Sequence, residues 1–362
     1  MQRLTQFTQL RQIGQSIWLD NLSRAMLEGG ELKRLVDAGE VTGITTNPSI
    51  FRNAIVNGAS YRADLERLKR EEADPERRYE RLAIADVQAA CDILRPVFDV
   101  TRGDDGYVSL EVSPQLAHDA DGTIAAARRL RAEVARDNVL IKIPGTPAGV
   151  RAFEQCVADG ISVNVTLLFS LGQMNAIFDA YLTGLERLQA NGGDVKRVKT
   201  VASFFMSRID SLVDKKLDGL GTPEALALRG KTAVAVGKLA YARYVEVFGS
   251  ARFAALRAIG ARPQYLLWAS TSTKNPAYDD LLYVTPLIGA QTINTVPDVT
   301  LAAFRDHGKA ADTIGLDLPA AQAAFAAVER LGIGHEAIGT QLQQEGVKLF
   351  DEAFTALLQA VS

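Results

Sequence analysis

A lysine stands in the middle of the apolar run "VLIKI" (139–143), and the chemistry open to this chain turns on what keeps Lys142 there. An ammonium on a desolvated strand is costly unless it is paired, reaches water with its head, or is held for its reactivity. Lys142 shares its strand face with Leu140 and Pro144, a setting that disfavours the charge and leaves a neutral, nucleophilic amine. Such an amine can add to a ketone, and the imine it forms acts as an electron sink for carbon–carbon cleavage without a metal. The plainer reading is a lysine whose stem packs and whose head finds a carboxylate, with Glu111 or Asp20 as the partner.

Those carboxylates carry two readings of their own. In a reactive cleft, one relays protons for imine formation and hydrolysis and the other takes the proton from a hydroxyl during cleavage. Elsewhere they are helix caps or ion-pair partners. In "ISVNVT" (161–166) the period of two puts Ser162, Asn164 and Thr166 on one face of a strand, either the wet interior of a barrel or the solvated face of an edge strand. "FFMSRID" (204–210) follows a strand and places Ser207 and Arg208 at a helix start, where free N–H groups and a guanidinium suit a phosphate. An ordinary surface arginine behind a capping serine fits the same residues.

The elements that must position these groups are short β-branched runs alternating with long helical stretches, the pattern of a parallel sheet with helical crossovers. The strands are expected at 16–20, 41–46, 107–112, 139–143, 161–168, 199–205, 264–271 and 282–288, which is the number that closes a (β/α)8 barrel. Helices are expected between them, for instance "ERRYERLAIADVQAACDILRPVF" and "GTIAAARRLRAEVARDN", the second ending in a basic turn. Asp20, Asn47, Glu111, Lys142, Asn164, Thr166, Ser203 and Ser270 all fall near the C-terminal ends of strands, where a barrel gathers its reactive groups. A doubly wound nucleotide-binding sheet lacks support, because no glycine-rich phosphate fingerprint follows a strand.

Composition narrows the classes. The 362 residues are 47% hydrophobic and 23% charged, and no linker-like stretch divides them, so one domain over 1–362 is expected, with C-terminal helices from about 318 packed on the barrel. Forty basic against 43 acidic residues give a formal charge of -3, which argues against a nucleic-acid or anionic-membrane partner and for a small polar substrate. The N-terminal stretch lacks a signal-peptide core and no apolar run approaches membrane-spanning length, which points to the cytoplasm. Cys91 and Cys156 read as reduced core thiols. His118, His307 and His335 are scattered, so no metal is expected.

Four blocks, "GITTNPSIF" (43–51), "VLIKIPGTPAGV" (139–150), "VNVTLLFS" (163–170) and "VASFFMSRID" (201–210), together resemble the transaldolase family in order and spacing, and the likeness runs on through 267–301. The resemblance implies a (β/α)8 TIM barrel with additional helices and no cofactor. It implies Lys142 as the Schiff-base lysine, Asp20 as the acid/base at the cleaved bond, and Glu111 with Thr166 activating a water. Asn47, Asn164 and Ser203 would hold a dihydroxyacetone unit, Arg208 would bind the substrate phosphate, and Ser270 lies where further phosphate contacts are made. The segment "ASTSTKNP", with Lys274, departs from the short members and resembles a longer bacterial branch.

The implied reaction moves dihydroxyacetone from sedoheptulose 7-phosphate to glyceraldehyde 3-phosphate, giving erythrose 4-phosphate and fructose 6-phosphate, a step of the pentose phosphate pathway. Related aldolases that release free dihydroxyacetone resemble this site but carry Gln at the Glu111 position and Tyr at the Phe205 position. Glu111 and Phe205 therefore favour transfer over a fructose 6-phosphate aldolase, and the intact set of Lys142, Asp20 and Glu111 speaks against a barrel that only binds sugar phosphates. Monomer and homodimer both remain open from sequence.

Overall fold

The β-branched runs pair side by side as parallel strands, and in the computed structural model, which describes residues 5–362, eight of them close into a barrel in chain order. They are β1 (Gln15–Leu19), β2 (Gly43–Ile44), β3 (Val108–Glu111), β4 (Val139–Pro144), β5 (Val163–Leu168), β6 (Thr200–Phe205), β7 (Tyr265–Ala269) and β8 (Thr292–Val296). β1 pairs with both β2 and β8, so no strand edge is left unpaired and the edge-strand reading of "ISVNVT" falls away. This is a (β/α)8 TIM barrel with added helices.

Seven strands overlap the expected runs, and the eighth does not. Residues 282–288 form turns and a short 3-10 helix at Thr285–Leu287, while β8 is "TINTV". Pro286 inside the apolar run cannot donate to a ladder. Tyr283, Val284, Leu287 and Ile288 of that run are buried, and the segment is tied to the barrel: Tyr283 donates its hydroxyl to Asp210 (2.9 Å), and its carbonyl accepts from Asn294 Nδ2 on β8 (2.9 Å). The polar Thr292 and Asn294 masked the true strand. The second helix singled out from sequence also ends earlier, at Val134, where Ala135 turns left-handed (φ 50°).

Local sequence sets each helix start. Asn47 caps the helix Pro48–Asn57 by accepting from the Ile50 N–H (3.0 Å), and Thr146 caps Pro147–Ala158 by accepting from the Gly149 N–H (3.0 Å). Ser170 and Gln173 form a reciprocal capping box at the start of Leu171–Ala190. These helices begin directly after β2, β4 and β5, so their free N–H groups and positive dipole ends gather at the C-terminal mouth of the barrel.

The last two helices lie outside the eight-fold pattern. Leu318–Arg330 packs on Thr232–Phe248, and the C-terminal helix His335–Val361 runs over Pro48–Asn57 and Pro75–Val100 and reaches β5. Cys91 and Cys156 are buried and unpaired. Among the described residues no helix is long and apolar enough to cross a membrane.

Gly149 is where the fold holds the central strand to its helix. A Cβ there would lie 1.8 Å from the Pro144 carbonyl oxygen at the end of β4. Gly149→Ala must push the helix off the strand, an overpacking cost of about 1–3 kcal/mol, and should lower the melting temperature by several degrees; an unchanged calorimetric transition would mean that the turn after β4 yields freely.

Candidate active site

Strand register brings the first group together. Glu111 pairs with Lys142 across β3 and β4, and Lys142 pairs with Asn164 across β4 and β5. Lys142 is 4% exposed; its Nζ donates to the Thr46 carbonyl (2.9 Å) and lies 3.4 Å from Glu111 Oε2, within ion-pair reach but outside hydrogen-bonding geometry. Its decisive neighbours thus come from the adjacent β3 and from the loop after β2 and are polar, a correction to the apolar setting read along β4 itself. Pairing with Glu111 and a place on a cavity wall coexist here.

Around the amine the polar groups form two chains. Ser203 Oγ donates to Asn164 Oδ1 (2.6 Å), Asn164 Nδ2 donates to Ser109 Oγ (3.0 Å), and Thr46 Oγ1 donates to the Ser109 carbonyl (2.7 Å). On the other side Thr45 donates to Asp20 Oδ1 (2.6 Å) and shares a second bond with Thr295 (2.6 Å). Thr166 Oγ1 is buried and, like Glu111 Oε2, has no hydrogen-bond partner among the described protein groups. Sequence reasoning missed Thr45, Thr46 and Ser109. Ser109 carried a signal, since it lies two residues before Glu111 on the same strand face.

Burial sets the protonation of the carboxylates. Desolvation pushes Glu111 up to about 7, against the pull of the Lys142 charge. Asp20 is likewise raised by burial, opposed by Lys142 and by the Thr45 hydrogen bond. A carboxyl poised near neutrality beside a buried amine can both give and take a proton.

These groups meet at a cavity of about 300 Å³, and of the eleven residues proposed from sequence, Asp20, Asn47, Lys142, Thr166, Ser203, Phe205, Arg208, Ser270 and Lys274 line it. Glu111 and Asn164 do not; they stand behind the wall and touch it through Lys142 and Ser203. A larger cavity of about 550 Å³ opens at the opposite end of the barrel, between loops that precede the strands, with none of these groups in it. Asn47 spends its carbonyl oxygen on the helix cap, leaving its amide N–H₂ as the group that can face a ligand.

Arg208 is at the second position of the helix Ser207–Leu220, with Nη1 buried and unpartnered among the described residues and its guanidinium 5.5 Å from the Phe205 ring centroid. Ser207 does not cap that helix. Its hydroxyl meets that of Ser270 (2.9 Å), which holds a left-handed backbone (φ 53°) directly after β7. Lys274 is exposed and donates to Ser272 Oγ (2.6 Å). Tyr278 Oη to Asp214 (2.7 Å) and Tyr283 Oη to Asp210 tie the segment that bears them to the helix Ser207–Leu220. A cationic group with an unsatisfied donor, beside a helix N-terminus, suits a phosphate.

The C-terminal helix supplies what no motif announced. Gln343 Nε2 donates to the carbonyls of Gly145 (2.8 Å) and Leu167 (3.0 Å), the residues that follow β4 and adjoin Thr166 on β5. Leu167 is left-handed (φ 61°) within the register shift of β5, a conformation that a non-glycine residue holds only when neighbours impose it. Phe350 lines the cavity. Nothing in the sequence of an amphipathic helix says which part of a distant barrel its stripe will meet.

The comparisons with known proteins agree over nearly the whole chain. Residues 17–361 match the model of the transaldolase/fructose-6-phosphate aldolase family. A transaldolase of Thiobacillus denitrificans is 54% identical over 349 residues, 96% of this chain and 97% of that one. One of Neisseria gonorrhoeae is 48% identical over 98% of this chain and 99% of its own, and transaldolase 1 of Streptomyces coelicolor is 48% identical over 96% and 92%.

Gln343→Leu keeps the bulk of the side chain and leaves both buried carbonyls unpaired. At about 1–3 kcal/mol for each orphaned group, the variant should unfold at clearly lower denaturant concentration than the parent chain. An unchanged midpoint would show that the two carbonyls find other donors.

Proposed function

This chain belongs to the transaldolase/fructose-6-phosphate aldolase family, and from that membership we propose that it transfers dihydroxyacetone through a Schiff base on Lys142. The donor is sedoheptulose 7-phosphate, the acceptor glyceraldehyde 3-phosphate, and the products are erythrose 4-phosphate and fructose 6-phosphate. The pentose phosphate pathway and the cytoplasm are the setting that goes with this reaction. The observation that carries the reading is the buried Lys142 amine on the cavity wall with Glu111 3.4 Å behind it.

The amine adds to the donor's C2 carbonyl, and the carbinolamine loses water to give the imine. Glu111, raised to about 7 by burial, supplies and recovers the protons of that step. Thr166, whose hydroxyl has no partner among the described residues, holds the water with it. Asp20 then takes the C4 hydroxyl proton, the C3–C4 bond breaks, the first aldose leaves, and the electron pair passes into the enamine on Lys142. Ser203, Asn164 and the free amide of Asn47 orient the three-carbon unit. Arg208, with Ser270 and Lys274 nearby on the wall, holds the phosphate. The acceptor aldehyde captures the enamine, Asp20 returns the proton, and hydrolysis frees the ketose.

A fructose 6-phosphate aldolase would run the same steps but protonate the enamine carbon instead of passing it on. Phe205 offers no proton donor. Its ring packs on Phe169 at 5.3 Å, a fixed apolar surface on the cavity. Free dihydroxyacetone formed from fructose 6-phosphate, measured with and without an aldehyde acceptor, tests the reading. The parent chain should form little without acceptor, and Phe205→Tyr clearly more, because a positioned general acid is worth roughly 10²–10⁴-fold. Release by the parent chain as fast as transfer would make it an aldolase.

A further inference from the structure

Among the polar groups of the cavity wall stand Ala269, Pro297 and two aromatic rings, Phe205 on β6 and Phe350 from the C-terminal helix. Phe350 lies far along the chain from every residue whose type suggested chemistry, yet it is 8% exposed with its ring centroid 5.7 Å from Lys142 Nζ. Glu111 stands 3.4 Å from the same nitrogen. The amine therefore meets a carboxyl from β3 and an apolar ring from the C-terminal helix.

The ring's place is fixed by the contacts of the helix that carries it. Gln343, two turns before Phe350, is fastened to the Gly145 and Leu167 carbonyls. Gly346, one turn before it, lets the helix come so close that an added Cβ would lie 2.9 Å from Leu167 Cδ2 and 3.5 Å from Arg208 Nη1. At the helix start Glu336 accepts from the Ser170 hydroxyl (2.6 Å) and the Gly172 N–H (2.9 Å). Residues 343, 346 and 350 share one stripe of the helix, so the helix that carries the ring cannot shift without breaking its contacts at the ends of β4 and β5.

We propose that Phe350 is a specificity-determining residue: it keeps water, and so a proton source, off the three-carbon unit carried by Lys142, and thereby favours transfer over release. The inference rests on the Schiff-base reading above. Transfer forms a carbon–carbon bond from the enamine to the acceptor carbonyl, whose oxygen takes up a proton. Release forms a carbon–hydrogen bond at the same carbon, after which water adds to the imine and expels the amine. Hydrolysis ends both routes and draws its water from the Glu111 and Thr166 side. Only the proton that ends the enamine early has to cross the Phe350 side.

The test is the ratio of free dihydroxyacetone released from fructose 6-phosphate to dihydroxyacetone transferred to erythrose 4-phosphate, a ratio independent of how much of a variant is folded. Phe350→Leu keeps an apolar wall and should stay near the parent ratio. Phe350→Ser admits water and should raise the ratio about fivefold or more, equivalent to about 1 kcal/mol between the competing barriers. Phe350→Val, a milder truncation, should fall between them and serves if the serine variant does not fold. A parent-like ratio in a truncated variant that still transfers overturns the role of Phe350 and leaves the Schiff-base reading standing. A parent chain that transfers nothing overturns that reading first.

Discussion

The structure depends on keeping one ammonium-bearing side chain, Lys142, inside a closed barrel. Desolvating a charge costs several kcal/mol unless partners meet it, and the barrel meets this one with a carboxylate from β3 and a carbonyl from the residue before Asn47. Both partners need their own support. Thr46 is fixed by its bond to the Ser109 carbonyl, and Glu111 is buried deeply enough that its proton is held up to about 7. The amine is therefore not insulated from protons by its burial; it is coupled to a group that exchanges them near neutral pH.

That constraint explains why the polar interior is layered as it is. Asn164 and Ser203 continue the network across β5 and β6, and Asp20 faces the cavity from β1 through its bond to Thr45. Asn164 and Ser203 lie within β5 and β6 and Asp20 directly follows β1, so register places each side chain and the ladder around it holds it there. Two left-handed non-glycine residues border the cavity: Leu167, directly beside Thr166, and Ser270, at the start of the segment bearing Lys274. Such strain is a local cost that packing elsewhere offsets.

Much of this was legible in the sequence because it follows from a period of two. Seven strands and the face of "ISVNVT" that carries Asn164 and Thr166 announce themselves that way. What was not legible depended on tertiary placement. The eighth strand hid because Thr292 and Asn294 make "TINTV" look polar, while the apolar run before it is a loop buried by its bonds to Asp210 and Asn294. Ser207 looked like a cap and instead pairs with Ser270. The contribution of Gln343, Gly346 and Phe350 could not be read, since a helical stripe gives its own face and not the surface it will cover.

The central claim is that the Lys142 amine becomes covalently bound to the substrate carbon. Borohydride reduction of the parent chain with fructose 6-phosphate, followed by peptide mass spectrometry, tests it most directly. The chain holds a second deeply buried lysine as an internal comparison: Lys199, fully buried at the opposite end of the barrel, paired with Asp104 at 2.9 Å and stacked on the Tyr265 ring. The account predicts a reduced three-carbon adduct on the peptide containing Lys142 and none on that containing Lys199. An adduct on any other lysine, or full transfer activity with no adduct trapped, would contradict it.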